Sequence, residues 1–364
     1  PEGKNGDDDT KESASGEENP DGVEGNTQDE SATDGKTDET IDNKEDEADP
    51  DANSQEENNP DNTTDKQDEG TSDTQEENDS TENTDDSSIE FKIERLSSNS
   101  KYHQSGAAYG DYAFLVTDKH THFYMYNLKS KQLIYDLTYT TGNGKDFLGQ
   151  TLYHCNQATF GNQLYEDGDP FPLFYISQHA KAEKRYFVEA YRILPEWNVE
   201  NGEYTSFSVE LVQTIYFPPM TNENALGNIN MAIDTETNEM YTYSRNNNSG
   251  QDNTGKCAIS CFDLPDVHEP EVYLNDSDIK FSFYPGCTAV YMQGGCIHNR
   301  TLYIAQGAKS MGYIYLNIID LDQRKMVERL DFLGSGFTLE PEGCFFYDGN
   351  IVFGAANHLY RVVF

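Results

Sequence analysis

Between residues 103 and 364 the sequence returns five times to one pattern. A polar amide or acid precedes small residues, then come a short strand, a tight turn and a second strand. It opens in HQSGAAYGDYAFLVT (103–117) and recurs in HCNQATFG (154–161), which runs on to PLFYIS. It returns in NINMAIDTETNEMYTYS (228–244) and QGGCIHNRTLYIAQG (293–307), and ends in LEPEGCFFYDGNIVFG (339–354). A third strand often closes on an Asp or Asn step, as in FYMYNL, AISCFDL and YLNIIDL. A repeat of roughly 50–75 residues is the size of one four-stranded blade. The prediction is an all-β chain folded as a five-bladed β-propeller. A six-bladed ring is the alternative, with the extra copy inside 161–227. The segment IEFKIERLS (89–97) is expected to supply the outer strand of the last blade, because LYRVVF ends the chain without a partner. Closing the ring in that way removes an exposed seam.

Local patterning agrees with this reading. Helical periodicity is scarce beyond residue 88, and short aromatic or β-branched runs dominate. Examples are YAFLVT (112–117), RYFVEAYRIL (185–194) and GYIYLNIIDL (312–321). The second repeat is the longest, and loops are expected at 161–172, 178–184 and 195–205. The single tryptophan, Trp197, falls in the last of these.

A different material precedes the repeats. Residues 1–88 carry 33 acids against 5 lysines, a net of −28, and contain no Phe, Tyr, Trp, Leu or Cys. Such a segment cannot bury enough apolar surface to offset the entropy of ordering, and its like charges repel. It reads as a disordered acidic spacer joined to a propeller domain at 89–364. That second part has 33 acids and 20 bases, a net of −13. With both parts acidic, nucleic acid is excluded as a partner, since a phosphate backbone needs a basic footprint.

No apolar segment is long enough to span a membrane, and no signal peptide is visible. The chain begins at Pro1, which fits a processed product. An export signal or lipid-bearing cysteine ahead of it is the expectation, making the protein secreted or a cell-surface lipoprotein. The six cysteines (155, 257, 261, 287, 296 and 344) show no zinc spacing. Cys257 and Cys261 share one strand, roughly 13 Å apart, too far for a disulfide. Buried free thiols are the plain reading.

The stretches HQSGAAYGDYAFLVTDKHTHFYMYNLKSKQLI, HCNQATFGNQ with DPFPLFYIS, and LEPEGCFFYDGNIVFG with LYRVVF resemble uncharacterised secreted β-propeller proteins of gut-dwelling anaerobic bacteria. The likeness covers most of 100–364. It implies a fold and a location but no activity. The EPEG step is similar, over few residues, to propellers of the phage receptor-binding and teichoic-acid-associated type.

In a propeller the innermost strands line a central channel, where converging blades need small residues. Gly106, Ala107, Ala108, Ala158, Ala232, Gly294, Gly295 and Gly343 meet that need. The polar residues just before them fall at one channel mouth. They are His103 and Gln104; His154, Asn156 and Gln157; Asn228 and Asn230; Gln293; and Glu340 and Glu342. The candidate binding set is Gln104, His154, Asn156, Asn228, Asn230, Gln293, Glu340 and Glu342. These groups could satisfy one another and channel water, or form a concave ligand site. For catalysis, Glu340 or Glu342 would work with His154 as acid and base on a glycan or lactone. Asp234 is the only further carboxylate nearby in sequence. No cofactor is implied, although Glu342, Asn156 and Asn230 could hold a single calcium ion. The leading expectation is a surface-tethered, monomeric propeller that binds a glycan or cell-surface protein without turnover. A protein-interaction scaffold is the third reading.

Overall fold

The computed structural model describes residues 89–98, 101–118, 122–139, 155, 157–182, 185–219, 229–245 and 255–364. All of them belong to the second of the chain's two units, Glu82–Phe364. The acidic spacer 1–88, and with it the expectation of disorder, lies outside the described residues.

The described residues form five sheets, one per repeat, each built on four antiparallel strands. Blade I contains β2 (Ser105–Tyr109), β3 (Tyr112–Val116), β4 (His122–Asn127) and β5 (Gln132–Thr138). Blade II contains β6 (Gln157–Phe160), β7 (Phe174–Ala182), β8 (Arg185–Asn198) and β9 (Glu203–Tyr216). Blade III contains β10 (Asn230–Asp234), β11 (Glu239–Arg245), β12 (Cys257–Asp263) and β14 (Phe281–Phe283). Blade IV contains β15 (Met292–His298), β16 (Thr301–Ala308), β17 (Tyr313–Asp320) and β18 (Lys325–Asp331). Blade V contains β19 (Cys344–Tyr347), β20 (Asn350–Ala355) and β21 (His358–Val363), with β1 (Lys92–Ser98) from the start of the domain. The pairing of β1 with β21, from Lys92↔Val363 to Ser98↔His358, closes the ring as expected.

In blades IV and V the first two strands meet at tight turns whose residues adopt left-handed backbone. Asn299 and Arg300 have φ of 48° and 58°, and Asp348 and Gly349 have 46° and 75°. Two successive positive φ values match the twist of a hairpin, which is why Asn, Asp and Gly recur there.

Both faces of each sheet are buried, so alternate side chains enter different cores. Phe114 and Val116 pack between blades I and II, whereas Leu115 packs between blades V and I. One apolar cluster fills each of the five blade interfaces. Burying a ring such as Phe114, which is fully enclosed, stabilises the fold by roughly 1.5–3 kcal/mol. The axis itself has no such cluster, and this leaves it to polar groups and glycines.

Blade II departs from the sequence expectation in three ways. The 195–205 segment is not a loop: β8 and β9 run on as a long hairpin, paired out to Asn198↔Glu203. Trp197 lies in that hairpin, half exposed, with its ring edge against Tyr204 at 5.0 Å. The expected loop at 178–184 is largely strand as well, since β7 continues past a register shift to Ala182. Finally, β13 (Glu271–Tyr273) leaves blade III and pairs in parallel with β9, giving blade II a fifth strand. It covers an edge that would otherwise present unpaired backbone. The enlargement of blade II, rather than a sixth blade, absorbs the extra length.

Candidate functional site

The inner strands β2, β6, β10, β15 and β19 contact one another in that ring order. Their close approach depends on glycine. A Cβ at Gly294 would lie 2.3 Å from the Gly343 Cα, and one at Gly343 would lie 2.6 Å from the Ser105 Cα. No side chain fits either position. Strand β15 carries a register shift between Met292 and Gly295. Gln157 then spans the axis from blade II to blade IV. Its side-chain oxygen accepts the Gly295 N–H at 2.7 Å, and its amide nitrogen donates to the Gly295 carbonyl. Gln157 is completely buried, and it replaces a backbone partner at this level of the channel.

Four of the polar residues expected at the mouth are bonded in pairs around blade V. Glu340 and Glu342 precede β19 in blade V, and they diverge to the two neighbouring blades. Glu342 accepts a hydrogen bond from the Gln104 side-chain amide of blade I. Glu340 accepts one from the Gln293 amide of blade IV at 2.5 Å. Backbone bonds hold both sides in place: Glu342 N–H donates to the Gly354 carbonyl at 2.8 Å, and Gly343 N–H to the Gln104 carbonyl at 3.0 Å. The Tyr102 hydroxyl donates to the Gln104 side-chain oxygen at 3.1 Å, making a Tyr–Gln–Glu chain.

Burial chiefly, and then the negative charges of Glu340 and Asp118, raise the Glu342 carboxyl well above the ordinary carboxylate range. The Tyr102 phenol is pushed up to about 12 by burial and by Glu342, Asp118 and Glu340. These shared influences bring Asp118 and Tyr102 to the same mouth, although neither lies in the repeat pattern. Beside them His103 is buried and held neutral. Desolvation pulls it down to about 4, against the opposing effect of its Nδ1–H bond to the Lys101 carbonyl at 2.9 Å. Its Nε2 has no hydrogen-bond partner among the described residues and packs on Gly354, where a Cβ would lie 2.2 Å away.

Among the candidate residues, Gln104, Gln293, Glu340 and Glu342 thus form two bonded pairs on either side of blade V. Asn230 is buried at the start of β10, and its Oδ1 has no hydrogen-bond partner among the described residues. His154, Asn156 and Asn228 lie outside the described residues. Among the described residues, no group of three or more His, Cys, Asp or Glu is placed to hold a metal ion. The suggested calcium set includes Asn156 and is not described.

Asp234 does not join the mouth. It sits at the far end of β10, four residues beyond Asn230, and extended backbone separates the two by roughly 13 Å. There it accepts a 2.6 Å bond from Arg300, which also reaches Glu239 at 3.2 Å and the Tyr241 hydroxyl at 3.0 Å. Lys280 adds a 2.6 Å bond to Glu239. Burial raises Glu239, but hydrogen bonds from Lys280, Tyr241 and Thr237 outweigh it and bring the carboxyl down to about 2.

No family model and no curated protein matches the chain. Among solved structures it is similar to the glutaminyl cyclase of Myxococcus xanthus. The identity is 10%, covering 75% of this chain and 94% of that chain, with a TM-score of 0.41.

Proposed function

We propose that the propeller is a binding module whose mouth takes a neutral, hydroxyl-rich ligand, a glycan of a cell surface, without turning it over. The observation that carries this reading is the buried Glu342 carboxyl with its raised proton affinity, bonded to Gln104 beside the Glu340–Gln293 pair. A protonated carboxyl both donates and accepts, as do amides and phenols. An array of such groups matches hydroxyls, which also do both. In this reading the protein is a monomer, secreted or lipid-anchored, and 1–88 is the spacer that holds the mouth away from its anchor.

The test is a glycan array, followed by calorimetric titration of the best ligand with wild type, Gln104→Ala and Glu340→Gln. We expect at least tenfold weaker binding by each variant, with a nearly unchanged melting temperature for Glu340→Gln. Absence of any glycan binding, or equal binding by all three proteins, contradicts the reading. The raised proton affinity of Glu342 next to a second carboxyl, Glu340, also favours a second reading, hydrolysis of a glycan or lactone with Glu342 as acid and Glu340 as base. Product release from chromogenic glycosides or lactones, abolished in Glu342→Gln, would select it over the first.

A further inference from the structure

Four of the six buried cysteines are arranged as two pairs that neither the strand pattern nor the mouth explains. Cys296 lies in β15 of blade IV and Cys344 in β19 of blade V, and their Sγ atoms are 3.9 Å apart. The backbones beside them are in direct contact, as the 2.3 Å approach of a Gly294 Cβ to the Gly343 Cα shows. Two strands that close bring facing Cα atoms into the range a disulfide requires. Cys257 opens β12 of blade III, and its N–H donates to the Cys287 carbonyl at 2.9 Å. Both side chains of that second pair are buried, and the neighbouring Cys287 thiol together with burial raises the Cys257 thiol. Cys155 and Cys261 belong to neither pair.

We propose that Cys296–Cys344 is a disulfide site that joins blade IV to blade V across their innermost strands, and that Cys257–Cys287 is a second one. Each thiol pair loses two S–H bonds and gains one S–S bond. The two protons and the two electrons pass to an acceptor disulfide, of a small molecule or of an exchange protein, which becomes two thiols. The thiolate of one cysteine attacks the acceptor, and the second cysteine resolves the mixed disulfide. Both sites are enclosed in the finished ring, so exchange takes place while the blades assemble. The first bond closes a 48-residue separation, and a cross-link of that span constrains the unfolded chain strongly.

The test refolds the full-length protein in a reduced/oxidised glutathione buffer. It is then quenched with acid, denatured, alkylated with iodoacetamide before any reductant, and mapped by peptide mass spectrometry. Two alkylated cysteines, Cys155 and Cys261, with both linkages mapped, is the expected result. Four alkylated cysteines with Cys296–Cys344 mapped supports the first site and overturns the second. Six alkylated cysteines, or any other pairing, overturns the proposal. The oxidised protein should melt about 5–10 °C above protein refolded in reductant. A Cys296→Ala/Cys344→Ala protein should lose most of that difference. Should this variant fail to fold, the wild-type map alone decides.

Discussion

The two ends of the inner strands hold two acidic clusters with opposite chemistry. At the far end of β10, Asp234 and Glu239 close around Arg300, with Lys280 at the rim, and Glu239 is held at about 2. At the mouth, Glu342 is bonded to an amide, and burial and neighbouring acids push its carboxyl up. Both clusters are largely enclosed, so burial alone does not set the outcome. The donors around Glu239 do: the Lys280 ammonium and the Tyr241 and Thr237 hydroxyls bond to it, with the Arg300 guanidinium beside them. A buried acid beside a cation keeps its charge and acts as a fastener. A buried acid among other acids and amides holds its proton more tightly.

Removing the cation should have the largest effect. Arg300→Met leaves Asp234 buried beside Glu239 with its main counter-charge gone, and we expect a loss of about 3–5 kcal/mol in denaturant unfolding. A loss below 1 kcal/mol would mean that the far cluster is no fastener.

The next effect comes from pH. His103 is neutral in the fold, with its value lowered from 6.5 to about 4. A depressed histidine contributes stability that is present above pH 6.5 and is lost as pH falls through 4. The total is on the order of 3 kcal/mol. Urea titrations at several pH values should show this fall in wild type, and His103→Gln should flatten it.

Glu342 shifts in the opposite sense. A raised carboxyl stabilises the fold below its unfolded value, about 4.3, and that contribution is lost as pH rises through the folded value. Glu342→Gln should therefore melt a few degrees above wild type at pH 8 and level with it at pH 4. Equal melting at both values would place the Glu342 charge in solvent. The smallest effect belongs to the rim of the far cluster. Lys280→Met removes a half-exposed cation and should cost about 0.5–1 kcal/mol.

Much of this architecture was legible in the sequence, because blades are made of local hairpins with local signals. The turn at Asp348–Gly349, the small residues Gly294 and Gly343, and the polar residues ahead of them each mark a position within one repeat. Ring closure by β1 was legible too, since LYRVVF lacked a partner and IEFKIERLS offered one. What the pattern missed is long-range. Nothing local marks β13 as a strand of blade II, because its partner β9 lies more than 50 residues earlier. The hairpin of β8 and β9 read as a loop because Pro195, Asn198 and Gly202 resemble loop punctuation, whereas cross-strand pairs such as Trp197↔Tyr204 hold it extended. Asp234 is the one further carboxylate that the repeat pattern offers near the mouth residues. The five-residue rise of β10 carries it to the opposite end, where Arg300 awaits it from a turn of the next blade. Asp118 and Tyr102 lie outside the repeat, so only the folded ring brings them beside Glu342.

The contrast between the two clusters is tested most directly by a site-resolved carboxyl titration. Carbon-13 NMR of the glutamate side-chain carboxyls, assigned with Glu342→Gln and Glu239→Gln, would follow both groups in one experiment. The Glu342 signal should titrate well above the ordinary value near 4.3 while Glu239 titrates near 2. A Glu342 signal that titrates at or below the ordinary value would contradict the account, because the mouth would then hold a charged acid, as the far cluster does.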